Sequence, residues 1–164
     1  MNAKESIRSL INFADKVAQA YLGDLKDEEL FIRPIDGTNH IAWQLGHLIR
    51  SEHAVIAGIS PDKMPALPEG FADKYTKETA AIDDPAAFHT KEEYLRVMKQ
   101  QREGTLAALD SISDEELNQP TPDERMRSFF PKVADLFGQA GTHSLMHCGQ
   151  WAIVRRKTGR PPLF

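Results

Sequence analysis

Two histidines stand one helical turn apart near the end of this chain, His143 and His147, in the run Gly141-Thr-His-Ser-Leu-Met-His-Cys-Gly-Gln150. A third, His47, lies far earlier, inside Trp43-Gln-Leu-Gly-His-Leu-Ile49. Residues at i and i+4 sit one above the other on a helix, so His143 and His147 can point at the same spot. Neutral imidazole is the commonest metal ligand. Three protein nitrogens with a fourth position left open is the pattern of a catalytic rather than a structural site. No glutamate follows His143, so the H-E-x-x-H metalloprotease motif is absent. An H-x-x-x-H pair is also compatible with a buried, hydrogen-bonded core pair, and spacing alone does not choose between the two.

The elements that must position these residues are helical. Ile7, Leu10, Ile11, Ala14, Val17, Ala18, Tyr21 and Leu22 recur at the three-and-four spacing of an amphipathic helix, which Gly23 is placed to end. A second helix is expected from an N-cap near Thr38-Asn39 to about Gly58. From Ser60 to His89 five breakers, Pro61, Pro65, Pro68, Gly70 and Pro85, predict a long crossover. Thr90 with Glu93 forms a capping box that opens a third helix through about Leu109, and Ser113 with Glu116 repeats the signal for a short one. The last helix is expected from Pro131, harmless in a first turn, to about Lys157. Its core stripe runs through Val133, Leu136, Phe137, Ala140, His143 or Ser144, His147, Trp151 and Val154. With no strand alternation, the expectation is an all-α, four-helix bundle with one long crossover between helices 2 and 3.

Both histidines of the last helix thus fall where a periodic core would place leucine, and a buried imidazole needs partners or a metal for its nitrogens. Gly46, Gly141 and Gly149 lie beside the three histidines. Each glycine inside a helix costs about 1 kcal/mol relative to alanine, so close packing or room for a bound molecule is the expected reason.

The remaining chemistry-bearing residues are weighed against ordinary roles. Glu52, little more than a turn beyond His47, is a candidate general base or fourth ligand, although a salt-bridged glutamate is the commoner outcome. Arg155 and Arg156, with Lys157 and Arg160, form a basic cluster; it can favour the helix C-terminal dipole or receive an anionic thiol cofactor. Cys148 points about 100° away from His147 and reads as a small buried thiol rather than a nucleophile. His40 is a candidate group behind the site or a solvated residue at the helix start. His53 and His89 are expected at the surface, and Gln150 to orient a ligand histidine or to pack at a helix contact.

At 164 residues the chain is expected to be one domain over 1–164. A net charge of −4 argues against nonspecific nucleic-acid binding, which needs a basic face. No apolar run approaches the roughly 20 residues of a membrane span, so no membrane association is expected. Charges in Met1-Asn-Ala-Lys-Glu-Ser-Ile-Arg-Ser9 interrupt any signal-peptide core. One cysteine excludes an intrachain disulfide and an all-thiolate zinc site, which suits a reducing, cytoplasmic setting.

Together these residues resemble the DinB-like superfamily, whose relatives include the bacillithiol- and mycothiol-dependent transferases. The resemblance rests on Asn39-His-Ile-Ala-Trp-Gln-Leu-Gly-His-Leu48, on H-x-x-x-H-x-G-Q at His143, His147, Gly149 and Gln150, and on the tail Lys157-Thr-Gly-Arg-Pro-Pro162. It implies a bundle of up-down-down-up topology, commonly a homodimer. It also implies a divalent metal, zinc or nickel, held by His47, His143 and His147. The implied activities are thiol-dependent transfer on a small-molecule substrate, with a low-molecular-weight thiol as cofactor, or metal-dependent hydrolysis. A non-catalytic metal-binding or dimerisation protein is the reading from another class, and a fourth protein ligand would mark it.

Overall fold

A computed structural model describes residues 2–163, so Met1 and Phe164 of the expected 1–164 unit lie outside the described residues. Among the described residues there are five α-helices: α1 (Ala3–Leu22), α2 (Ile41–Ala57), α3 (Lys91–Ser111), the short α4 (Asp114–Leu117) and α5 (Val133–Lys157). There is no strand among them, only an isolated bridge between Pro120 and Lys132. No helix there is long and apolar enough to cross a membrane.

The helices begin where side chains can satisfy their free N–H groups. Capping boxes close α1 (Asn2 with Glu5), α3 (Thr90 with Glu93) and α4 (Ser113 with Glu116). α2 starts later than expected, capped by His40 rather than Thr38-Asn39. α5 also starts later, after Lys132. Pro131 is held outside it, because its carbonyl accepts from Thr121 N–H and fixes it in the connection.

Two apolar clusters fill the interior. One gathers Leu22, Trp43, Leu45, Tyr75, Tyr94 and Trp151. The other gathers Ile11, Ile56, Leu109 and Phe137. α1 lies along α5, while α2 packs against both α3 and α5. Gly141 permits the first contact: a Cβ there would sit 3.2 Å from Leu10 Cγ and 3.3 Å from the Leu10 carbonyl. Gly149, by contrast, faces open space.

Candidate metal centre

α5 runs unbroken through Gly141 and Gly149, so His143 and His147 do stand one turn apart. Their ring centroids are 5.0 Å apart and their Nε2 atoms 3.3 Å apart. His47 meets them from α2, its ring 5.1 Å from that of His143 and 5.7 Å from that of His147. One nitrogen from each ring lies within 4.8 Å of the other two. All three rings are half-buried. The buried face of α5 follows the expected stripe with Ser144 rather than His143 and with Cys148 beside His147, and the histidines stand on its border.

Behind His147 sits Gln44, fully buried on α2. Its Oε1 accepts from His147 Nδ1 at 2.9 Å and from Trp151 Nε1 at 2.8 Å. Its amide nitrogen donates to Gln150 Oε1 at 2.9 Å and to the Asn39 carbonyl. An oxygen can only accept, so Nδ1 of His147 carries the proton and the Nε2 lone pair faces His143. Gln150 thus acts on the histidine through Gln44.

His47 is oriented by stacking. The Trp43 indole lies flat on it, with centroids 4.9 Å apart and planes 8° from parallel. Trp43 Nε1 donates to the Thr76 carbonyl and to Thr79 Oγ1, both at 3.1 Å, so the crossover holds the indole. Gly46 lets that crossover reach the helix, since a Cβ there would lie 2.2 Å from the Tyr75 ring. Tyr75 is fixed in turn by hydrogen bonds to the Tyr94 hydroxyl and to His89 Nδ1.

Burial holds these imidazoles neutral. It lowers His143 to about 4, helped by His47, and His147 to about 4, helped by its two neighbours. It also lowers His47, with Arg50 adding a smaller push in the same direction. Neutral nitrogens are what a cation requires. Bonds of 2.0–2.1 Å in tetrahedral geometry separate ligand nitrogens by about 3.3 Å, which the His143–His147 pair already matches. The donor set fits a divalent ion.

The other candidates sit elsewhere. Glu52 is turned about 140° around α2 from His47 and faces α3. There its Oε1 accepts from Thr105 Oγ1 at 2.6 Å and lies 3.3 Å from Arg102 Nη1. Burial pushes its carboxyl up, against the pull of Arg102 and Thr105. It joins no histidine nitrogen, and a role as fourth ligand or base has no geometry behind it. Arg155 is not free to receive a cofactor: its Nη1 reaches both Asp24 oxygens at 2.6 and 2.8 Å, and Nε donates to the Pro161 carbonyl. Arg160 pairs with Glu29, whereas Arg156 is exposed. Cys148 is buried, which pushes its thiol up to about 12 and leaves it inert.

His53 and His89 were expected at the surface, and His40 either behind the site or solvated; none of the three is exposed. His40 is fully buried; Nδ1 accepts from Trp43 N–H and Nε2 donates to the Ile82 carbonyl. His53 Nδ1 donates to Gln101 Oε1, and His89 stacks on Phe71. Polar ends with protein partners allow burial that residue type alone does not reveal. Gln44 and Tyr75 are the site residues that the sequence reading passed over, whereas Trp43 is the neighbour of His47 that it placed there. The available signal was a glutamine inside the apolar run Ile41-Ala-Trp-Gln-Leu45.

A helical fold with a three-histidine cluster between two helices defines a class of metal-binding proteins. A DinB superfamily profile matches residues 11–151, and the chain belongs to that superfamily. A crystal structure described as the conserved protein of locus from Enterococcus faecalis has the same fold, with a TM-score of 0.69 at 17% identity over 98% of this chain and 99% of that one. No curated protein matches the chain.

Proposed function

We infer that this chain is a divalent-metal-dependent enzyme acting on a small molecule, most consistent with transfer of an external low-molecular-weight thiol. The observation that carries this reading is the meeting of three neutral imidazole nitrogens within 4.8 Å, with His147 oriented from behind by Gln44. His47, His143 and His147 would hold the ion, zinc and nickel both suiting such a donor set. Bound there, the ion would supply positive charge that lowers the pKa of a thiol or water. The chain keeps the imidazoles neutral by burial and fixes their rings by the Gln44 and Trp43 contacts. Its own Cys148 is buried, so the thiol comes from outside.

Hydrolysis has less support, because Glu52 is engaged with Arg102 and Thr105. A purely structural metal is disfavoured because, among the described residues, no fourth side-chain donor joins the cluster. The four long helices fit one bundle of up-down-down-up course. Asp24–Arg155 joins the C-terminal ends of α1 and α5, Gln44–Gln150 sets α2 against α5, and Glu52–Thr105 and His53–Gln101 set α2 beside α3. A homodimer is supported by exposed apolar residues on α1 and α5, Phe13 at 57% and Met146 at 72%. A cytoplasmic setting suits the lone free cysteine.

The test is metal content by elemental mass spectrometry on untagged protein beside a folded His143→Ala/His147→Ala variant. The expected result is about one divalent ion per chain, lost in the variant. Loaded protein should then join a small thiol to an electrophile faster than the variant does. A wild type that takes up neither zinc nor nickel would defeat the reading.

A further inference from the structure

The histidine cluster lies in a seam between α2 and α5, and the two ends of that seam differ. The helices run antiparallel there, since Gln44 reaches Gln150 while His47 meets His143. At the Gln44 end the polar groups satisfy one another, through His147, Trp151 and the Asn39 carbonyl. One turn the other way, the same register sets Ser51 of α2 opposite Gln139 of α5. Both are half-buried, and neither side chain has a hydrogen-bond partner among the described residues. Next to Ser51 stands Arg50, exposed and, among the described residues, without a hydrogen bond or an ion pair.

Arg50 follows His47 by three residues, which puts it one turn along α2 and about 60° around it, on the solvent side of the histidine. Among the described residues it is the only arginine, lysine or carboxylate whose charge acts on any of the three imidazoles. Glu78 on the crossover also feels Arg50, but Thr76 does most to hold that carboxyl below its usual range, and no ion pair joins the two. The basic residues at the end of α5 are elsewhere. Arg155 and Arg160 are engaged with Asp24 and Glu29, and Arg156 is turned about 140° around α5 from His143.

These positions bear on the charge of the substrate. Three neutral imidazoles would leave a divalent ion both of its charges, and a thiolate would cancel one. Arg50 adds positive charge on the open side, with no carboxylate acting on the histidines to offset it. A guanidinium with free donors takes a carboxylate bidentately, one charge to one charge. A phosphate dianion would call for a second cation, which this seam does not supply among the described residues.

We propose that Arg50 is a substrate-anchoring residue of the metal centre, and that the thiol taken there carries a carboxylate that the guanidinium receives, with Ser51 and Gln139 beside it. This rests on the thiol-transfer reading above.

The test uses full-length protein loaded with cobalt(II), whose visible and near-ultraviolet absorption reports a bound thiolate without turnover. Wild type and Arg50→Gln are titrated with 3-mercaptopropionate and with its methyl ester, and the readout is the ratio of the two affinities. Comparing that ratio between the proteins cancels the different basicity of the two thiols. The expected result is an acid-over-ester ratio about fivefold higher in wild type, the upper range for an exposed ion pair, with the same cobalt content in both proteins. Added salt should narrow that difference. Equal ratios in the two proteins overturn the proposal, because a carboxylate held by the metal itself, or by nothing, gives that result. A higher ratio in Arg50→Gln overturns it as well. Failure of the wild type to take up cobalt, or of both thiols to change its spectrum, instead defeats the thiol-transfer reading, and the proposal with it.

Discussion

Gln44 Oε1 lies 2.9 Å from His147 Nδ1, and this contact across two helices decides which nitrogen of His147 looks toward His143. Such partners behind a ligand typically control metal affinity by 10–100-fold. Gln44→Leu should therefore bind zinc about 10–100-fold more weakly while remaining helical, as read by competition with a chromophoric chelator. Gln44→Glu keeps an acceptor and should bind more tightly than the leucine variant. Equal affinities for all three proteins would remove Gln44 from the site.

The metal-free protein should lose stability as pH falls from 7 to 5. His143 and His147 are lowered to about 4 in the fold, whereas the unfolded chain takes up protons near 6.5. Between those values the unfolded state holds more protons, so acid favours it. Each imidazole contributes a slope of at most about 1.4 kcal/mol per pH unit, less for half-buried rings reached by solvent. Denaturant unfolding at several pH values should give a shallower dependence for His143→Phe/His147→Phe. Parallel curves would contradict the assignment.

Gly46→Ala should destabilise the protein by about 1–3 kcal/mol, the usual cost of forcing a methyl into a filled space. The added carbon would meet the Tyr75 ring at 2.2 Å. Because the same crossover anchors Trp43, cleavage by protease within residues 60–90 should accelerate as well. Thermal melts and limited proteolysis together check this, and an unchanged cleavage rate would separate Gly46 from the crossover.

Glu52→Ala should destabilise by about 3–5 kcal/mol, since it strands the buried Arg102 guanidinium. Glu52→Ala/Arg102→Met should recover much of that loss. Both variants should keep their full metal content. A drop in metal for Glu52→Ala in folded protein would return Glu52 to the centre.

The sequence made the helix starts at Thr90 and Ser113 readable, because capping boxes are local chemistry between residues three apart. The meeting of His47 with His143 and His147 was readable from residue type and from the family resemblance. What escaped was direction. Residues 41–46 of α2 are buried on every side, so its apolar pattern cannot tell the face toward α5 from the face toward α3. His47 takes one and Glu52 the other. The burial of His40 escaped for a related reason: its two partners are Trp43, next to it on the helix, and Ile82, far along the crossover.

The division of the three histidines between α2 and α5 also bears on when the centre can exist. During synthesis the chain emerges from its N-terminus, and His47 is outside the ribosome long before the last helix. Until α5 docks along α1, His47 has neither of its companions, and Gln44 lacks His147, Gln150 and Trp151 alike. During synthesis, assembly of the three-imidazole cluster therefore waits for α5, and a chain that lacks α5 offers an ion one of these imidazoles instead of three.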